Sequence, residues 1–229
     1  MNKQVAQLSA LAASLLVSFA AHAADTAELK VKGVIRPSAC TPSFTGTNVV
    51  DYGTISAAKD LNPSSATVLS EKTVPLTITC DADTKVAVHA IDNRATSVVA
   101  GIAANIGAGV TDAQAFGLGT VAGTRIGAYA LRLIPGSVNA TAASGTASTP
   151  DVLADATNSN AWIKSAAGRF NADGTARQSF TTAGTSTPVG YKTITGSIGV
   201  QAVIDKSANL PLTQSIDLDG LATIEVQYL

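Results

Sequence analysis

Charge, aromatic residues and sulfur are all scarce in this 229-residue chain. Charged residues make up 14% and aromatics 4%, with two cysteines, two histidines, one tryptophan and one methionine. Each shortage excludes something. The formal net charge is −1 and there is no basic run, which removes the electrostatic footprint of a nucleic-acid binder. One histidine lies in the leader. Beyond it only His89 and two thiols remain, too few for a tetrahedral metal site. Long straight polar side chains are too few to clothe exposed helices, and the apolar content is too high for disorder. Beyond the leader no apolar run is long enough to span a bilayer as a helix.

The leader itself is distinct. Met1-Asn-Lys-Gln carries one positive charge, an apolar run follows from Leu8 to Ala21, and Ala21-His22-Ala23 is an A-x-A cleavage site. Residues 1–23 therefore read as a secretory signal peptide. The mature chain, about 205 residues, has the size of one domain. In an exported protein the pair Cys40 and Cys80 is expected to form one disulfide. Closing so long a loop is worth on the order of 4 kcal/mol.

What the chain does have is strand periodicity. Ala27, Leu29, Val31, Gly33 and Ile35 share one parity, with Glu28, Lys30, Lys32 and Val34 on the other. A short strand is expected around Val49–Tyr52 and another over Lys72–Cys80, where Val74, Leu76, Ile78 and Cys80 alternate inward. Asp81-Ala-Asp83 then reads as a turn, and Lys85–Ile91 as the hairpin partner that leaves His89 on the surface. Phe116–Leu118 and Arg125–Ile134 read as strands, Val138–Pro150 as a loop, and Asp151–Thr187 as an irregular outer hairpin with Trp162 as a packing residue. Tyr191–Asp205 is the longest strand, its Gly196 and Gly199 marking a bulge or a close approach. After Asp219-Gly220 the chain closes on a strand in which Ala222, Ile224, Val226 and Tyr228 share one face. Short strands, Gly/Pro/Asn/Asp turns and no helical period imply an all-β antiparallel sandwich.

Chemistry is hard to find. There is no G-x-S-x-G elbow, S-x-x-K pair, H-E-x-x-H helix or phosphate-binding glycine loop. Asp81/Asp83 and Asp217/Asp219 are expected at turns, where Asp caps backbone, and calcium there has little support. The expectation is no enzyme, no cofactor and no metal. A hydrolase built on His89 is the weakest reading. The two terminal strands suggest β-strand addition, in which main-chain hydrogen bonds give affinity and alternate side chains enter pockets.

Here the chain resembles the chaperone–usher pilus (fimbrial) subunits, closest to a fimbrial-like exported bacterial group of unassigned function. Ala222-Thr-Ile-Glu-Val-Gln-Tyr-Leu229 resembles their closing strand. Val31-Lys-Gly-Val-Ile-Arg-Pro-Ser-Ala-Cys40 resembles their donor strand running into the first cysteine. Val74-Pro-Leu-Thr-Ile-Thr-Cys80 resembles the strand ending in the second. The resemblance implies an incomplete immunoglobulin-like sandwich completed by donor-strand addition, with residues 24–38 as the N-terminal donor extension and 39–229 as the pilin-like domain. Leu29, Val31, Gly33 and Ile35 would be the donor residues. Ala222, Ile224, Val226 and Tyr228 would form the acceptor edge, and basic chaperone residues would hold the Leu229 carboxylate. It further implies a periplasmic chaperone, an outer-membrane usher, neighbouring subunits and a surface fimbria serving adhesion. The alternative is a stand-alone exported β-sandwich that binds a ligand or partner.

Overall fold

The computed structural model describes residues 27–34 and 38–229. These fall in two units divided after Arg36, each taken by itself. In the first, residues 27–34 carry no strand or helix, and Leu29, Val31 and Val34 are 92%, 88% and 81% exposed. Ile35, with the leader, lies outside the described residues.

The second unit is nearly all β, and every ladder between named strands is antiparallel. Eight strands carry it: β1 (Cys40–Phe44), β2 (Lys72–Thr84), β3 (Val86–Asp92), β4 (Gly127–Leu133), β5 (Asp151–Asp155), β6 (Arg177–Thr181), β7 (Tyr191–Ile204) and β8 (Ala222–Tyr228). Sheet one runs β1-β2-β7-β4, ending on the short strand Phe116–Gly117. Sheet two starts from Ile163–Lys164 and runs β5-β6-β3-β8. Apolar side chains of alternate parity from both sheets meet in one core: Leu76 and Ile78 of β2, Val86, Val88 and Ala90 of β3, Tyr129, Leu131 and Leu133 of β4, Phe180 of β6, and Ile194 and Ile198 of β7. This is the face-to-face packing of a sandwich. A disulfide joins Cys40 to Cys80, which face each other in the β1–β2 ladder.

Several expectations need correcting. Val49–Tyr52 is not a strand; the Tyr52 hydroxyl and the Lys72 ammonium, which donates to the Asp51 carbonyl at 2.6 Å, hold it instead. Asp81–Asp83 does not turn. It lies inside β2, and the break comes at Lys85. Strands β2 and β3 form no hairpin, because the chain changes sheets there, as both strands must present an apolar face to one core. Val138–Pro150 contains two short strands, Asn139–Thr141 and Ala147–Ser148, the first pairing with Thr193–Thr195 of β7. Small Ala, Ser and Thr side chains gave that segment no periodicity. Asp151–Thr187 does form a hairpin, since β5 and β6 pair antiparallel, but it is part of sheet two rather than an outer appendage, and every residue of β6 is buried. In β7 the irregularity falls between Tyr191 and Thr193. Gly199 marks the close approach, because a Cβ there would collide with the Glu71 carboxylate.

Candidate strand-acceptor groove

The two sheets do not close on each other everywhere. Strand β8 ends sheet two and β1 ends sheet one, and between these edges lies an apolar groove of about 390 Å³. One wall is Phe44, Val50 and Tyr52; the other is Leu218, Ala222 and Ile224. Its floor is the core itself, including Leu131 and Ile198.

Strand β8 has a partner on one side only. The Asn93 amide donates to the Leu221 carbonyl and the Leu229 amide to the Lys85 carbonyl. Antiparallel ladders alternate, so residues 221, 223, 225, 227 and 229 turn their peptide groups to β3. The peptide groups of Ala222, Ile224, Val226 and Tyr228 face the open side. The same four residues have the parity that points into the groove. Ala222, Ile224 and Val226 are half-buried, whereas Tyr228 is exposed. An unpaired edge beside open apolar surface is an unfinished ladder and an unfinished core at once.

The groove is shut at one end. The Cys40 amide donates to the Tyr228 hydroxyl at 2.7 Å, tying the start of β1 to the end of β8. The opposite end is propped by Tyr52, whose hydroxyl donates to the Val200 carbonyl at 3.0 Å and accepts from the Ala202 amide at 3.2 Å. Burial raises the Tyr52 phenol above its ordinary range. Burial likewise pushes the Tyr129 phenol well above its ordinary range. The Tyr129 ring lies under Gly220, where a Cβ would come within 2.8 Å of it, so only glycine lets the chain cross there into β8.

Charges fix β8 from outside. Arg94 grips Asp219 through Nε–Oδ2 at 3.0 Å and Nη2–Oδ1 at 3.2 Å, setting the entry to the strand. Nearby, burial raises the Asp92 carboxyl, although it accepts the Arg94 and Gly117 amides at 2.8 Å each. On the outer face His89 Nε2 meets Glu225 at 3.2 Å. His89 was expected on the surface, but its side chain is only 15% exposed. Farther out, Arg177 of β6 pairs with Asp155 and with Asn160, and its Nη1 donates to Gln227 of β8 at 3.1 Å. Trp162 packs over that guanidinium, 5.1 Å from ring centre to Cζ.

Of the sequence-selected residues, Ala222, Ile224, Val226, Tyr228 and Leu229 share β8 and its end, and Cys40–Cys80 sits beside Tyr228. Leu29, Val31 and Gly33 belong to the other unit, and a Cβ at Gly33 would meet nothing within 4 Å. The paired aspartates act on backbone and on Arg94. Asp81 accepts the Ala39 amide, Asp83 the Ala143 amide at 2.6 Å, and Asp219 holds Arg94. Sequence reasoning missed the wall made by Phe44, Val50 and Tyr52. Its only signal was the apolar pair Val49-Val50 beside a tyrosine, which was read as a strand. Among the described residues no helix is long and apolar enough to cross a membrane.

The family described as a protein of unknown function (DUF1120) matches residues 29–130. The chain is similar to protein GltF of Escherichia coli (strain K12), 31% identical over 251 residues, covering 100% of this chain and 99% of that protein. It is also similar to the uncharacterized protein YhcF of Escherichia coli (strain K12), 29% identical over 234 residues, covering 96% and 97% of the two chains.

Proposed function

This chain belongs to the DUF1120 family and aligns over its full length with protein GltF, and from its open strand edge and groove we propose that it is a structural subunit of a chaperone–usher fimbria. In this reading it is exported to the periplasm, held there by a pilus chaperone and passed to an outer-membrane usher. It polymerises by donor-strand exchange into a surface fibre that supports adhesion. The observation that carries the reading is the outward-facing half of β8 above an open apolar groove. An added strand would pair with the peptide groups of Ala222, Ile224, Val226 and Tyr228 and cover the core in one event. The segment before Cys40, though not itself a strand here, has the alternating pattern that such an added strand needs, with Leu29 and Val31 exposed and available to a neighbour.

The reading assigns no catalysis to the chain. His89 is engaged by Glu225, and His89→Ala is expected to leave assembly intact. The competing reading is a self-sufficient exported sandwich, favoured by the Tyr228–Cys40 bond that already closes one end of the groove.

Size-exclusion chromatography with light scattering, on mature protein prepared without a chaperone, separates the two. Aggregates or ladders that resolve on adding a peptide spanning Ala24–Ser38 support the fibre subunit. A stable monomer with an unaltered amide spectrum on adding that peptide refutes it.

A further inference from the structure

A second cavity lies on the other face of sheet one, away from the groove. Ala128 and Val203 point outward there, and the 3-10 turn Ile102–Asn105 with Val110 and Ala115 covers them as a small separate core. Where this cover ends, a cavity of about 230 Å³ remains. Ile106, Val110 and Ala130 form its apolar side; Arg132, Arg169, Gln201 and Glu71 form its polar side.

The two arginines differ in what they already hold. Glu71 occupies Arg132 with bonds of 2.6 Å from Nε and 2.8 Å from Nη2. Arg169 makes no ion pair among the described residues. Its Nη2 donates to the Ala108 carbonyl at 3.3 Å. Its backbone is fixed firmly, for the Arg169 carbonyl accepts from the core side chain Gln178 at 2.9 Å and the next amide, Phe170, donates to the Leu131 carbonyl at 3.1 Å. A guanidinium on a fixed backbone beside an apolar wall, tied by one 3.3 Å bond and with no ion-pair partner among the described residues, has donors to spare for a planar anion.

We propose that this cavity binds a small aliphatic monocarboxylate, its carboxylate on Arg169 and its hydrocarbon body against Ile106, Val110 and Ala130. Two arginines and one glutamate leave one positive charge, which matches a monoanion. A phosphate dianion would bring excess negative charge close to Glu71. The cavity of about 230 Å³ has room for a short-chain carboxylate such as butanoate.

The test is titration of the mature full chain with butanoate, butanamide and inorganic phosphate, followed by amide NMR and calorimetry. Butanoate should bind and shift the Val110 and Arg169 amides. Butanamide should bind at least about tenfold more weakly, and Arg169→Gln should weaken butanoate by about tenfold or more with the melting temperature unchanged. Arg169→Lys, which keeps charge but loses the fork, should fall between and serves if Arg169→Gln does not fold. Equal affinity for butanamide, tighter binding of phosphate, or no binding of any probe at 20 mM (roughly the weakest affinity worth assigning) overturns the proposal. So does full affinity in both Arg169 variants.

Discussion

Replacing Asp155 by Asn tests whether the outer face of sheet two is held by one buried pair. Asp155 and Arg177 are 1% and 2% exposed. Burial works to raise the Asp155 carboxyl. The Arg177 guanidinium and the amides of Thr157, Asn160 and Ser159 outweigh it and hold the carboxyl down at about 2 from an ordinary 3.8. That depression corresponds to about 2 kcal/mol of folding free energy. The carboxylate is favoured in the fold, so this contribution is present in full above pH 4. It is lost as pH falls from about 4 through about 2. In the variant Arg177 would keep a buried charge without its counter-ion, a situation that costs about 3–5 kcal/mol. The expected loss at pH 7 is therefore about 3 kcal/mol, between the two figures. Urea titration reads it through Trp162, which lies over the Arg177 guanidinium, and through far-ultraviolet circular dichroism. With a slope of about 2 kcal/mol/M the midpoint should drop by about 1.5 M. At pH 2.5 the gap between wild type and variant should shrink. A loss under about 0.5 kcal/mol at pH 7, or a gap that widens in acid, would refute the reasoning.

Reducing the Cys40–Cys80 bond, or replacing both residues with Ser, should lower stability by about 4 kcal/mol, read as a fall in melting temperature that reductant reproduces in the wild type. Ile224→Ala removes apolar surface from the groove wall and should weaken binding of the Ala24–Ser38 peptide about tenfold, measured by fluorescence anisotropy with a labelled peptide. Gly168 has φ +65° and a Cβ there would strike the Leu133 carbonyl, so Gly168→Ala should cost about 3 kcal/mol or more by chemical denaturation. Tyr228→Phe should free the Cys40 amide from its bond and speed its hydrogen exchange, with about 1 kcal/mol of stability lost.

The strands that the sequence announced are those with one wet and one dry face. Leu76, Ile78 and Cys80 of β2 and Tyr129, Leu131 and Leu133 of β4 alternate cleanly and were legible, as was the parity of β8. Strand β6 was hidden because all five residues are buried and four of them, Arg177, Gln178, Ser179 and Thr181, are polar. Arg177 bonds to Gln227, Gln178 to the Arg169 carbonyl, Ser179 to the Val86 carbonyl and Thr181 to the Thr187 carbonyl, while Arg177 Nε and Gln178 Oε1 have no partner among the described residues, and no periodicity encodes such contacts. The acceptor edge could be read from local pattern, but the groove could not. Its walls come from residues separated by more than 150 positions in sequence, brought together only when the sheets stack. Arg169 gave no signal, since its setting is made by backbone bonds to Gln178 and Leu131.

The disulfide also decides how the domain carries tension. Residues 41–79 lie inside the covalent ring closed by Cys40 and Cys80, and the ring includes the groove wall of Phe44, Val50 and Tyr52. A pull arriving at Cys40 from the preceding chain passes through the sulfurs into β2 and bypasses everything between. That wall keeps its shape under load while β8, outside the ring, meets the force through hydrogen bonds alone.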